Sequence, residues 1–285
     1  MVSKIHILNN KKNKISVSIV LYNTSEVLLH RLLTCIYCSG NIDIVYIVDN
    51  SPQPIKDFWF KDLPLSYIHT NSNIGYGAGH NIAIRKAIEM GAEFHFVLNP
   101  DVYFGSGELP KMISRIQSDN AIGHLMPKVT YADGTLQYLC KLLPTPSDLL
   151  LRRFAFGPLK RLFMKKVDKF ELRFTGYNRE MNVPFLSGCF MLLRVSALQE
   201  IGLFDESFFM YGEDIDLSRR MHARQKTVFF PDAVIVHDHA RESYKNTKML
   251  WIHIVNLIRY FNKWGWFFDA ERYVINAKVL RDLDS

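Results

Sequence analysis

The stretch ISVSIVLYNTSEVLLHRLLTCIYCSGNIDIVYIVDN, residues 15–50, decides the fold. Its opening run, ISVSIVL, is apolar and β-branched apart from two serines, and reads as a buried strand. Tyr22-Asn23-Thr24-Ser25 breaks that run, and Thr24 or Ser25 caps a helix that continues to about Cys38. Residues 42–48 (IDIVYIV) form a second strand, stopped by Asp49-Asn50-Ser51-Pro52. A strand, a helix and a strand in succession make a crossover unit, and such units pair their strands in parallel.

The same alternation continues outward. Residues 65–69 give a short third strand, 71–79 a Gly/Asn loop and 81–90 a helix. Residues 94–98 (FHFVL) give a fourth strand, stopped by Asn99-Pro100-Asp101, and 109–118 another helix. The expected fold class is α/β: a mixed, mainly parallel sheet flanked by helices. Polar clusters follow three of the strands, at Tyr22-Asn23, Asp49-Asn50 and Asn99–Asp101. In an open α/β sheet that carboxyl edge is where ligands bind.

The second half has a different grain. Residues 141–180 are basic, aromatic and weakly periodic. Residues 184–195 (PFLSGCFMLLRV) read as a buried strand broken at Ser187-Gly188. Residues 213–225 read as a short helix, 227–230 and 233–236 as strands, and 249–280 as one long helical pattern rich in Trp and Phe. The expected division is a tail at 1–14, one domain at 15–245 with halves at 15–120 and 121–245, and an amphipathic helical segment at 246–285.

Hydrophobic residues make up 48% of the chain and charged ones 22%, the balance of a globular protein with a full core, which excludes extended disorder. The formal net charge is +7, and residues 141–180, with ten Lys/Arg against four acids, contribute +6 of it. Such a surface suits phospholipid headgroups, diphosphate-linked lipids or nucleic acid; the plainer alternative is a solvated loop face. No helix-turn-helix, zinc or RNA-binding signature accompanies the charge, so nucleic acid is not an expected partner. Cys35 and Cys38 have C-x-x-C spacing but sit in an apolar, helix-like run without a second pair, so they are expected as buried thiols, and the cysteine pattern fits a reducing compartment. Residues 1–14 are polar and Lys-rich, and no window is apolar for about 18 residues, so neither a signal peptide nor a spanning helix is expected.

Four constellations carry chemistry. Asn99-Pro100-Asp101, past a buried strand, places an acid where a divalent cation could bridge to phosphates; it is also good turn chemistry. Gly212-Glu213-Asp214-Ile215-Asp216 opens a helix with three carboxylates behind the aromatic run Phe208-Phe209-Met210-Tyr211. Helix-dipole complementarity and an Asp216–Arg220 pair explain Asp216, while a carboxylate at 213 or 214 could take a proton from a sugar hydroxyl. In Val236-His237-Asp238-His239-Ala240-Arg241, His237 ends a strand and could supply a metal nitrogen, or belong to a polar turn. The glycines of NSNIGYGAGHN (71–81) permit close backbone approach to a ligand, or simple flexibility.

As a set these segments resemble glycosyltransferase family 2, and within it the bacterial rhamnosyltransferases of O-antigen, lipopolysaccharide and other cell-wall polysaccharide assembly. The carriers are VSIVLYN (17–23), IVDNS (47–51), NSNIGYGAGHNIAI (71–84), FVLNPDV (96–102), FLSGCFMLLR (185–194), IGLFDESFFMYGEDIDLSRR (201–220) and IVHDHARES (235–243). The resemblance implies a GT-A fold, with the nucleotide bound by the first half of the domain and the acceptor by the second, and inversion at the anomeric carbon. It implies that Asp49 hydrogen-bonds a pyrimidine base and that Tyr22, Asn23, Asn73 and Asn81 line the nucleotide pocket. Asn99 and Asp101 stand at the family's Asp-x-Asp metal motif, with Asn99 departing from the usual acid; His237 matches the later metal-contacting histidine. Asp214 matches the general base, with Glu213, Ser187 and Gly188 on the acceptor side.

The implied cofactor is a divalent cation, Mg or Mn. The implied donor is a dTDP- or UDP-sugar, with L-rhamnose from dTDP-rhamnose leading and a UDP-hexose or a non-catalytic sugar-binding role as alternatives. The implied acceptor is a saccharide, free or linked to a polyprenyl diphosphate. The implied place is the cytoplasm, with peripheral contact at the inner face of the membrane. The helix N-terminus is expected to lower the pKa of Asp214. Residues 249–280 combine Trp251, Trp264 and Trp266 with Arg259, Lys263 and Arg272, which fits either an interfacial helix or one packed on the core.

Overall fold

Ile15–Leu21 (β1) leaves Ser16 to Ile19 with no exposure, and its two serines are as buried as Val17 and Ile19. The serines are there for partners. Ser16 Oγ meets His95 Nδ1 at 2.8 Å, and Ser18 Oγ meets His80 Nδ1 at 2.7 Å and His95 Nε2 at 2.8 Å. Burial holds both imidazoles well below their ordinary pKa, so they sit in the core as neutral rings.

The computed structural model describes residues 14–55, 64–149, 158–238 and 247–284. The tail expected at 1–14 therefore lies almost wholly outside the described residues, as do His239, Arg241 and part of the basic 141–180 segment. Helix α1 (Glu26–Ser39) follows β1, then come β2 (Ile44–Asp49), β3 (Leu65–His69), α2 (Tyr76–Glu89), β4 (Phe94–Leu98), β5 (Val102–Phe104), α3 (Glu108–Gln117) and β6 (Ile122–Thr130). The second half supplies β7 (Cys140–Lys141), α4 (Pro158–Phe170), β8 (Met181–Asn182), β9 (Phe185–Leu186), β10 (Phe190–Arg194) and α5 (Val195–Ile201). It ends with α6 (Glu213–His222), β11 (Lys226–His237), α7 (Thr247–Trp264) and α8 (Ala270–Asp284).

The described strands form a nine-stranded sheet in the order β3-β2-β1-β4-β10-β6-β11-β5, with β8 beside β11. Strands β3, β2, β1 and β4 run parallel, β6 and β11 share their direction, and β10, β5 and β8 run against them. The sheet is thus mixed and mainly parallel, and both sequence halves build it. A two-stranded sheet, β7–β9, stands apart.

Several expectations need correcting. Helix α2 begins at Tyr76, inside what reads as a glycine loop. Its glycines serve packing: a Cβ on Gly77 would lie 3.0 Å from the Phe204 Cβ, and one on Gly79 would lie 2.9 Å from Val20 Cγ2. The strands at 227–230 and 233–236 are one strand, β11, with a register shift between Phe230 and Val234. The long helical pattern at 249–280 is two helices, broken where Gly265 takes φ 101°. Cys140 and Cys189 are buried thiols, but Cys38 is exposed, because α1 turns Leu29, Leu32, Leu33 and Ile36 inward and leaves Cys38 on its outer side.

The C-terminal helices divide their faces. Tyr260, Phe261, Asn256, Arg272, Val279 and Leu283 are buried against the domain. Arg219 of α6, 2% exposed, makes a two-pronged bond to Asp269 at 2.7 and 2.8 Å. Trp264 Nε1 donates to Asp216 at 2.8 Å, and Arg220 pairs with the same carboxylate at 2.8 Å. The Asp216–Arg220 pair is the one its spacing implies. On the other side, Trp251, Val255 and Ile258 form one exposed stripe, continued by Trp266, Phe267 and Phe268. No helix of the described residues is long and apolar enough to cross a membrane.

Candidate active site

Strands β2, β1 and β4 are neighbours, so the polar residues after them meet at one edge. Asn23, at φ 49°, donates its N–H to Ser51 Oγ at 2.8 Å, and Ser51 N–H donates to Asp49 Oδ1 at 2.9 Å. Asp49 is fully buried and also accepts from the Tyr67 hydroxyl at 2.6 Å. Tyr22 stands beside them half exposed. Asn50 Nδ2 donates to the Gly75 carbonyl at 3.0 Å, and Asn73 Oδ1 accepts from Gly75 N–H at 3.1 Å. The edge of β2 is thereby tied to the start of α2.

From α2 the linkage continues. The Tyr76 hydroxyl donates to the Gly188 carbonyl at 2.6 Å, and Gly188 N–H donates to Asp214 Oδ2 at 3.1 Å. One residue on, the Cys189 carbonyl accepts from Asn99 N–H at 3.0 Å. The Ser187-Gly188 break thus does a specific job: it turns the chain between β9 and β10 so that one short segment grips both the Asn99–Asp101 loop and Asp214. Gly188 is closely packed, since an added Cβ would lie 3.2 Å from the Asp214 Cβ and would press on that side chain. Ser187 lies partly buried in the same turn, with Asp214 partly buried next to it.

Asp101 and His237 are neighbours because β5 pairs with the end of β11, putting Val102 opposite His237. Asp101 Oδ1 lies 3.3 Å from His237 Nε2. Burial alone would pull the His237 imidazole down, but Cys189 and Asp101 beside it push it up to about 10. Gln137 fixes the ring and its backbone, meeting Nδ1 at 3.2 Å and donating to the His237 carbonyl at 2.8 Å.

This pair fits a divalent cation. Two donors each about 2.1 Å from one ion and at right angles to each other stand about 3 Å apart, close to the separation seen here. A cation there would have to displace the imidazole proton. Among the described residues no three His, Cys, Asp or Glu side chains gather as a complete metal cluster. Two protein ligands leave the remaining positions for water and substrate phosphates, the usual arrangement for Mg²⁺.

Asp214 and Glu213 open α6. Burial raises the Asp214 carboxyl above the usual carboxylate range, outweighing the Gly188 and Ile215 N–H groups and Lys141, which lower it. The expectation that the helix N-terminus would leave Asp214 a weakened base is therefore overturned; burial wins and makes it a better proton acceptor. Glu213, 5% exposed, is held higher still by burial and by Asp214 beside it. A carboxyl raised in the folded state costs stability once pH exceeds its unfolded value and costs nothing below it. Glu213→Gln is therefore expected to raise Tm at pH 7 to 8, with the gain vanishing below about pH 4. Thermal scans across that range check this, and an equal gain at all pH values would contradict it.

Asn81 stands apart from this grouping. Its amide is taken up by Phe204 and Glu206: Nδ2 donates to the Phe204 carbonyl and to Glu206 Oε1, both at 2.9 Å, and Oδ1 accepts from Phe204 N–H at 3.1 Å. Two other residues join the site with little sequence signal. Tyr76, whose hydroxyl is pushed well up by burial and then by Glu213, Cys189, Asp214 and Asp101, sits within reach of both acids. Lys141, only 3% exposed, hides within the basic segment that reads as surface.

A mixed, mainly parallel sheet flanked by helices, with polar residues gathered at the carboxyl edge of β1, β2 and β4, is the GT-A type of fold. The chain belongs to the glycosyltransferase-like family 2, whose family model matches residues 13–259. It is 29% identical over 189 residues to the N-acetylglucosaminyl-diphospho-decaprenol L-rhamnosyltransferase of Mycobacterium tuberculosis, covering 61% of this chain and 59% of that one. It is 26% identical over 194 residues to the rhamnosyltransferase WbbL of Escherichia coli K12, covering 65% and 69%. The chain thus spans less than two thirds of the length of the mycobacterial relative. Among solved structures, the mannosyltransferase PcManGT of Pyrobaculum calidifontis, in complex with GDP-Man and Mn²⁺, superposes with TM-score 0.54 at 14% identity, over 95% of this chain and 75% of that one. That likeness concerns the fold.

Proposed function

We propose that this chain is an inverting glycosyltransferase, moving L-rhamnose from dTDP-rhamnose to a saccharide linked to a polyprenyl diphosphate. One observation carries the reading: the Gly188-Cys189 segment binds Asp214 on one side and the Asn99–Asp101 loop on the other. In this reading Asp49, Tyr22, Asn23 and Asn73 hold the nucleotide, and Asp101 and His237 hold a Mg²⁺ or Mn²⁺ ion that offsets charge on the diphosphate. Asn99 keeps the loop in place through its backbone, and the departure from an acid leaves one charge fewer at the cation. Asn81 acts at one remove, by fixing α2. Asp214 accepts the acceptor hydroxyl proton while the new C–O bond forms, and the old C–O electron pair leaves with the diphosphate. Glu213, Ser187 and Gly188 line the acceptor side.

Rhamnosyl transfer is supported by both relatives' names, the lipid-linked acceptor by the mycobacterial one alone, and the cation by the donor set. Exposed Trp251, Val255 and Ile258 lie along α7, which packs on the 207–212 loop through Asn256 and Arg259, and exposed Trp266–Phe268 follow it in the turn before α8. Together they would bring the acceptor side to the inner face of the cytoplasmic membrane. Incubation with dTDP-rhamnose and UDP-hexoses, with and without Mn²⁺, tests the chemistry. Rhamnose transfer supports the reading, hexose transfer would replace the donor, and binding without turnover of any donor would make the chain a sugar-nucleotide binder. Flotation with anionic vesicles tests the membrane face: the wild type should float, and Phe267→Ser with Phe268→Ser should stay behind.

A further inference from the structure

Gly188 lies between β9 and β10 and belongs to neither strand, so neither ladder holds it. Both of its backbone groups go to side chains instead: the N–H to Asp214 at 3.1 Å and the carbonyl to the Tyr76 hydroxyl at 2.6 Å. The residue is buried, and a buried carbonyl left without a donor is costly. The fit is close as well. A Cβ built on Gly188 would lie 3.2 Å from the Asp214 Cβ and 3.6 Å from the Tyr76 hydroxyl. One residue on, the Cys189 carbonyl meets Asn99 N–H at 3.0 Å, which extends the β4–β10 ladder beyond its Phe190–Leu98 pair. The Asn99 side of the turn is therefore held by the sheet, and the Asp214 side by Tyr76.

Tyr76 is itself fixed from several directions. It opens α2, and its N–H, which a helix start leaves without an intrahelical partner, donates to the Phe209 carbonyl at 2.9 Å. Phe209 belongs to the loop that runs into α6. Gly75 approaches it so closely that an added Cβ would stand 2.4 Å from the same carbonyl oxygen. The Tyr76 ring packs edge-on against His80, with centroids 4.4 Å apart, and against Phe204 at 6.2 Å. Gly75, just before it, is bonded to Asn50 and Asn73. The hydroxyl thus projects from a fixed platform on the nucleotide half of the site. We infer that Tyr76 is a positioning residue: by holding the Gly188 carbonyl, its hydroxyl sets the Gly188 N–H, and through it aims the Asp214 carboxylate at the acceptor hydroxyl. This deepens the transferase reading and rests on it. In this role Tyr76 acts on the reaction only through Asp214.

The test is a double-mutant cycle of Tyr76→Phe and Asp214→Asn, read by steady-state and single-turnover transfer. Phe keeps the ring contacts and removes one donor. With Asp214 present, Tyr76→Phe should lower kcat by about tenfold, the upper range for one such bond, and leave the donor KM within about twofold. In the Asp214→Asn background it should cost less than about twofold, because the group it aims is already gone. Equal losses in both backgrounds would overturn the inference. So would a roughly tenfold rise in donor KM with kcat unchanged, which would place the hydroxyl on the nucleotide. A Phe variant that unfolds would overturn it too, by making the hydroxyl a support of the whole fold. Amide exchange needs no substrate: in Tyr76→Phe, Gly188 N–H should exchange about tenfold faster, while Asn99 N–H, held by the ladder, should not change. A Gly188 N–H that exchanges as in the wild type would contradict the inference. A wild type that transfers no sugar would count against the transferase reading, while the exchange comparison would still decide whether Tyr76 holds the turn.

Discussion

Asp214→Asn is expected to lower kcat by about 10²–10⁴-fold while leaving donor binding near its normal level. The change is nearly isosteric, and the asparagine oxygen still accepts from Gly188 N–H, which holds the turn at 3.1 Å in the native protein. What disappears is the group that takes the hydroxyl proton. Because burial raises the Asp214 carboxyl, its loss removes a base stronger than a surface aspartate. Steady-state rates of nucleoside diphosphate release check this. A loss of only a few-fold would mean that another group takes the proton, and Glu213, the adjacent buried carboxyl, would be the first to examine.

The largest effect on stability is expected from Arg219→Ala. Arg219 and Asp269 are 2% and 3% exposed, and their two bonds fasten α6 to the C-terminal helices. Removing Arg219 takes the two-pronged partner from the buried Asp269 and leaves it, among the described residues, only the Arg272 guanidinium, 3.7 Å away, at a cost of about 3–5 kcal/mol. For a domain of this size that is a fall in Tm on the order of 10 °C. Glu271, about half exposed, also reaches Arg219 but has water to turn to. Replacing both partners, as Arg219→Met with Asp269→Leu, should recover only part of the loss, because Arg272, 1% exposed, then loses its own carboxylate. A double change as unstable as the single one would show that the pair contributes more than mutual compensation. Since Glu213 and Asp214 open the same helix, activity should fall with Arg219→Ala at temperatures where the protein remains folded.

How much of this was legible in the sequence differs by element. β1, β2 and β4 announce themselves because their apolar runs are unbroken and their stops are polar. β6 does not, although it lies between β10 and β11 near the middle of the sheet. Its run IGHLMPKVT carries Gly123, His124, Pro127 and Lys128, which break every strand template. The structure tolerates Pro127 because it pairs with Phe230, at the point where β11 slips register and a ladder bond is missing anyway. Pairing of this kind is non-local, and no window of sequence contains it. The glycine loop misled for a related reason: Gly77 and Gly79 look permissive, but each is small because another element lies against it.

The site was legible in its parts and not in its joins. Asp101, His237 and Asp214 stand out by type and position, and the family resemblance assigns their roles. That Asp101 faces His237 depends on β5 pairing with β11, two elements more than a hundred residues apart. Lys141 gave no local sign, since a lysine in a basic stretch looks like surface until strand pairing buries it. The balance of forces on Asp214 was also hidden. The helix start is visible in the sequence, whereas the burial that overrides it belongs to the folded site.

A crystal structure with Mn²⁺ and a non-hydrolysable dTDP-rhamnose analogue measures the arrangement itself. The account requires the ion on Asp101 and His237, the diphosphate completing its ligands, and the Asp214 carboxylate facing the anomeric carbon from the opposite side of the Gly188 turn. An analogue bound with its diphosphate away from Asp101, or with Asp214 turned from the sugar, would contradict it.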